Sequence, residues 1–192
     1  LYIYVLMSCL RTLTSQLVRC RQLNRLVAVD GILCSAATLL YNVVFLLGFD
    51  LGEEKSQMAV YDREKNIPVL IGQTEENPEG LIPTEIALSG EKPLRDFLVR
   101  IRRQEDVVVD GKISKPLNML SYFFRKTLSL TRKDYPGETI KQLVVTVKDA
   151  DREYMELIYA ALEQLGIGRE RAMVISHKQA FPYYVLNQKK EL

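Results

Sequence analysis

The chain of 192 residues is poor in the groups that most often carry chemistry: it has one histidine and three cysteines. The lone histidine, His177, has no cysteine or second histidine near it in sequence, which argues against a zinc site. The cysteines, Cys9, Cys20 and Cys34, are spaced by 11 and 14 residues, which matches no metal-binding pattern. An odd, dispersed set of thiols reads as reduced, which implies a reducing, cytoplasmic setting. No Ser–His–Asp or Cys–His set can be assembled, so hydrolysis of that type is not expected. An excess of one charge is also lacking. With 26 basic and 24 acidic residues the net charge is +2, which demands neither nucleic acid nor an anionic membrane as partner. Arg100, Arg102 and Arg103, with Lys112 and Lys115 not far off, lack interleaved aromatics and read as a solvated face. The 47% apolar and 26% charged residues are ordinary for a globular protein, which excludes disorder, collagen and a disulfide-stapled mini-protein.

The first 45 residues lack lysine altogether and hold all three cysteines, four arginines and one acid. From Val27 to Leu47 the sequence is apolar apart from Asp30 and a few small or polar groups, nearly enough to span a membrane. An acid there costs about 2.5–3.5 kcal/mol if central. The chain also begins with Leu rather than Met, and arginine- and leucine-rich, lysine-free composition fits translated flanking sequence as well as an anchor. Residues 1–44 are therefore read as an unassigned extension, and a membrane partner is not expected.

From residue 45 the signals alternate. Phe45 to Asp50, Ser56 to Asp62 and Ile67 to Ile71 are short apolar or alternating runs joined by tight turns, an antiparallel meander. Residues 73–80 read as a loop. Leu81 to Leu88 reads as an edge strand, since Pro83 lacks an amide donor. Pro93 to Arg103 is an expected short helix, and Val107 to Ile113 a hairpin closed by Asp110-Gly111. Ser114 is the expected cap of a helix with Pro116 in its first turn and Leu117, Leu120, Phe124 and Leu128 at helical spacing. Gln142 to Val147 is a β-branched run and thus a strand. Tyr154, Leu157, Ile158, Ala161, Leu162 and Leu165 fall on one helical face, with Asp149 and Asp151 at its start and Gly166 at its stop. Ala172 to Ile175 is a last strand. Ser176 and Gln179 form a capping box that opens a final helix, in which Pro182 should introduce a kink.

The most specific local feature is Gly48-Phe-Asp50-Leu-Gly52-Glu53-Glu54-Lys55-Ser56. A glycine turn between two strands lets backbone N–H groups approach a phosphate, and an adjacent Asp can hold Mg²⁺ through its waters. Taken alone, Asp50-x-Gly52 equally fits a plain hairpin turn.

In context the segment resembles the first phosphate loop of the seventy-kilodalton heat-shock chaperones, which are actin-like ATPases. That loop has the form apolar-Gly-Ile-Asp-Leu-Gly-Thr-Thr-x-Ser. Leu81-Ile-Pro-Thr-Glu-Ile-Ala-Leu88 is similar to their Thr-Pro-Ser-Tyr-Val-Ala-Phe strand, and Leu143-Val-Val-Thr-Val147 to their Val-Ile-Thr-Val strand. The resemblance covers about residues 45–192. It implies an α/β fold with a ribonuclease-H-like (actin-like ATPase) core in β-β-β-α-β-α order, and a small inserted subdomain at about 89–138. It implies that ATP and Mg²⁺ bind, with Asp50 positioning the metal through water and Gly52, Glu53, Glu54 and Lys55 meeting phosphates through backbone amides. It also implies a second lobe of the same protein, expected beyond Leu192, and a client or partner protein.

The departures are equally specific. Glu53 and Glu54 replace Thr-Thr, and Lys148 replaces a proline. Ser176-His177-Lys178-Gln179 replaces Asn-Glu-Pro-Thr and so loses a glutamate near the metal. Only Lys92 corresponds to the catalytic lysine. Two readings follow: an ATPase once a second lobe completes the site, or a degenerate, non-hydrolysing fold used as a protein-binding scaffold. His177, expected in the first turn of the last helix, should face the same cleft as Asp50, because both follow the ends of strands in one sheet.

Overall fold

A computed structural model describes residues 45–62, 67–87, 92–109 and 111–188. The extension 1–44, with its apolar Val27–Leu47 stretch and its cysteines, lies almost wholly outside these residues. So do the turn 63–66, Leu88 and Asp110.

The three expected N-terminal runs form strands β1 (Phe45–Leu51), β2 (Lys55–Asp62) and β3 (Ile67–Leu70). Each pairs antiparallel with the next, with Asp50 opposite Gln57 and Val60 opposite Val69. The third run stops one residue before Ile71, and Gly72 follows with φ +74°, a turn geometry open to glycine at little cost. Strand β7 (Ile140–Val147) then pairs parallel with β1, and β8 (Ala172–Ser176) parallel with β7. Parallel neighbours need a crossover. Between β7 and β8 it is supplied by helix α3 (Arg152–Glu163). The result is a mixed α/β architecture around a six-stranded sheet whose main path runs β3-β2-β1-β7-β8.

Strand β4 (Leu81–Pro83) pairs with the first half of β2, on the edge whose second half holds β3. The expected strand Leu81–Leu88 is thus cut to three residues. Beyond Pro83 the Thr84 amide continues the register to the Glu54 carbonyl at 2.9 Å, and Ile86 then leaves β2 for an isolated bridge with Leu94. That bridge keeps the backbone extended past Pro93, so helix α1 starts only at Phe97 and runs to Arg102. The hairpin forms as expected, β5 (Val107–Val109) against β6 (Lys112–Ser114), with Gly111 at φ +72°. Ser114 does not cap the next helix. It is the last residue of β6, opposite Val107, and Lys115 is the cap of α2 (Pro116–Asp134), with Pro116 as the first helical residue.

Helices α1, α2 and α3 share one core with one face of the sheet. Phe45, Leu47, Phe49 and Leu51 of β1 and Leu143, Val145 and Val147 of β7 alternate into it, as the two-residue period of a strand requires. Phe49 stacks against Phe123 at 6.3 Å and meets Phe124 edge-on at 5.4 Å, while Phe97 lies 5.1 Å from Phe123. Each such ring contributes about 1.5–3 kcal/mol by burial. Residues of the expected insertion, including Phe97, Phe123 and Phe124, thereby pack in the same core as the sheet. Asp151 caps α3 by accepting from the Tyr154 amide at 2.8 Å, and Gly166 at φ +77° ends the turn that follows. Helix α4 (His177–Gln188) starts directly at the end of β8 and contains Pro182. Among the described residues no helix is long and apolar enough to cross a membrane.

Candidate functional site

The parallel register places three polar side chains at one end of the sheet. Asp50 is the penultimate residue of β1 and lies opposite Thr146 of β7. Val147 lies opposite Ser176 of β8, and His177 follows as the first residue of α4. The Thr146 hydroxyl donates to Asp50 Oδ1 at 2.8 Å, and His177 Nε2 lies 2.7 Å from the same oxygen. The Asp50 and His177 side chains are only 13% and 16% exposed, so this contact is sheltered from water. Since Oδ1 of a carboxylate only accepts, the proton in this contact sits on His177 Nε2. His177 and Asp50 come together at the strand ends, as expected from their places in one sheet.

The ring is aimed by the start of its helix. Ser176 N donates to Gln179 Oε1 at 2.8 Å and Gln179 N donates to Ser176 Oγ at 3.2 Å, which completes the expected capping box. The box fixes the first turn of α4 and therefore the direction of His177. Thr146 was not singled out in sequence. Its only signal is a hydroxyl in an otherwise aliphatic run, Leu143-Val-Val-Thr-Val147, at the strand end nearest Asp50.

The Asp50-x-Gly52 turn leads from β1 into β2. A Cβ on Gly52 would collide with the Lys55 carbonyl oxygen, so only glycine allows the chain to fold back this closely. Glu53, Glu54 and Lys55 are exposed. Glu53 Oε1 approaches Lys148 Nζ to 4.0 Å. Lys92 is exposed next to Pro93, near the Ile86–Leu94 bridge.

A water bound to a metal would also approach Asp50 as a hydrogen-bond donor. Oδ1 accepts about two such bonds, and Thr146 and His177 already supply two. These two bonds occupy Oδ1, so a metal-bound water would have to meet Asp50 at Oδ2, the second oxygen of the carboxylate. Among the described residues no group of three or more His, Cys, Asp or Glu side chains is arranged to hold a metal ion.

The expected basic face resolves into ion pairs. Arg100 meets Asp96 at 3.0 Å, Arg103 meets Glu105 at 3.8 Å, and Arg102 meets Asp149 at 3.7 Å. Arg102 also lies 4.7 Å from the centre of the Tyr154 ring. Burial pushes the Tyr154 phenol up to about 12, against the lowering effect of Arg102.

An α/β domain with an Asp–Thr–His cluster at the strand ends of a mixed sheet is thus the class that fold and site define. The chain belongs to the family of unknown function DUF5716, whose C-terminal part matches residues 54–192. The match includes Thr146 and His177 and begins within the turn, just after Asp50 and Gly52. No curated protein matches the chain.

Proposed function

We propose that residues 45–188 are one lobe of a ribonuclease-H-like, actin-like fold that no longer hydrolyses nucleotide and serves as a protein-binding scaffold. The observation that carries this reading is the Asp50 Oδ1 contact with both Thr146 and His177. In this reading Asp50 acts as a clasp between β1, β7 and α4. An antiparallel meander followed by two parallel strands, with an acid next to last in the first strand, supports the fold assignment. The reading carries a second lobe of the same protein and a partner protein, in a reducing, cytoplasmic setting.

Phosphate release by the complete protein with Mg-ATP tests this. The expected rate equals the blank. Turnover by the wild type that disappears in Asp50→Asn would overturn the scaffold reading.

One observation favours a second reading, in which the lobe still binds ATP without hydrolysing it. The turn at Gly52 is closed tightly enough to exclude any side chain there, and such turns can present backbone amides to phosphate. Amide shifts at Gly52–Lys55 on adding ATP would support it; unchanged shifts would remove it.

A further inference from the structure

At the opposite end of the sheet from Asp50, a groove of about 580 Å³ runs between α2, the turn after α3 and the start of β7. Its size is within the range of small-molecule sites. Three arginines line it, Arg125 and Arg132 from α2 and Arg171 from the segment before β8, against one carboxylate, Glu138. We infer that this groove is a binding site for a small phosphate-bearing molecule.

The arginines are the first argument. Elsewhere on the described surface, Arg95, Arg100, Arg103 and Arg169 each hold a carboxylate. Arg125 and Arg132 make no ion pair among the described residues, although both are exposed. They lie seven positions apart, two helical turns or about 10 Å along α2. Both therefore lie on the same flank of the helix, and their long side chains can converge on one ligand. Arg171 is held in place from behind, through Gly166 O and Glu170.

The remaining polar lining is the second argument. Gln164 lines the groove and is held against Ser121 Oγ at 2.6 Å, which places its amide at the groove wall. Thr139 adds an exposed hydroxyl. The guanidinium groups thus present donors to the groove, with the charge of Arg171 offset by Glu170 and that of Arg125 and Arg132 facing only Glu138 in the lining. A phosphate group is the reverse: all acceptor, doubly charged, and matched to the guanidinium fork. The groove is short and has no aromatic lining, which favours a compact ligand over a nucleic-acid strand needing a charged track with stacking rings.

Calorimetric titration of the full chain with inorganic pyrophosphate tests the site. Saturable binding is expected. Arg125→Gln and Arg132→Gln should each weaken it about tenfold or more, as loss of a charged hydrogen bond implies. Arg152→Gln, which removes an arginine outside the groove, should change it less than about twofold. Amide shifts should move at Thr139 and Gly166. No binding at millimolar pyrophosphate overturns the inference, as does equal weakening by Arg152→Gln. Binding lost in Asp50→Asn, or shifts confined to Gly52–Lys55, would place the anion at the other end of the sheet and overturn it too. Tighter, Arg125-dependent binding of polyglutamate or a single-stranded oligonucleotide would replace the small ligand with a macromolecule. Should a glutamine variant lose its melting transition, the shift map on the wild type decides.

Discussion

The two faces of β1 are held by different physics. Phe45, Leu47, Phe49 and Leu51 face α1, α2 and α3, where each ring or chain touches several others. On the other face Asp50 depends on two hydrogen bonds to one oxygen. The first face is redundant and non-directional. On the second, Leu46 is also buried, but the Asp50 contact is directional, and each of its bonds can be removed singly. One strand therefore supplies both the mass of the core and the most specific contact of the site.

The largest expected effect lies on the apolar face. Phe49→Ala should cost about 3–5 kcal/mol by leaving a cavity beneath Phe123 and Phe124, as read by urea unfolding. A loss below about 1 kcal/mol would show that the aromatic cluster collapses to fill the gap.

The next is the polar group buried on that same face. Tyr154 has its phenol pushed up to about 12, chiefly by burial. The unfolded phenol ionises near 10, so above that pH the unfolded chain loses its proton first. Stability from this group is complete below pH 10 and declines as pH rises toward 12, by about 3 kcal/mol. Tyr135, also raised by burial, adds a smaller change of the same sign. Unfolding followed from pH 9 to 12 should show the decline, and Tyr154→Phe should flatten it. An unchanged slope in that variant would remove Tyr154 as the cause.

The smallest effect belongs to the clasp. A double-mutant cycle with Asp50→Ala and His177→Ala should give a coupling of about 2 kcal/mol, the value of a hydrogen bond to a charged group. Loss of Asp50 should also loosen α4, seen as faster amide exchange after Ser176. A coupling near zero would mean that the contact contributes nothing to joining the helix and the sheet.

Much of the fold was legible because local signals agreed with one another. The Tyr154 helix has its apolar face, its Asp151 cap and its Gly166 stop in one short stretch. The Ser176–Gln179 box was readable for the same reason, since its two partners lie three residues apart. Elements misjudged were those decided by distant partners. Leu81–Leu88 is cut short because Ile86 pairs with Leu94 instead of continuing along β2. Ser114 was drawn from cap to strand by Val107 across the hairpin. In the site, Asp50 was visible from its turn, while Thr146 was not, since a hydroxyl in a β-branched run looks like any other strand residue.

By itself the sequence determined the strand and helix periods, the glycine turn after Asp50 and the place of His177 at the start of a helix. These depend on residues within a few positions of one another. That Asp50, Thr146 and His177 meet at one oxygen was decided only by tertiary structure. The meeting depends on the parallel register of β1, β7 and β8, and a shift of one residue in that register would turn Thr146 to the opposite face. Across separations of 96 and 127 residues, no local pattern carries that register.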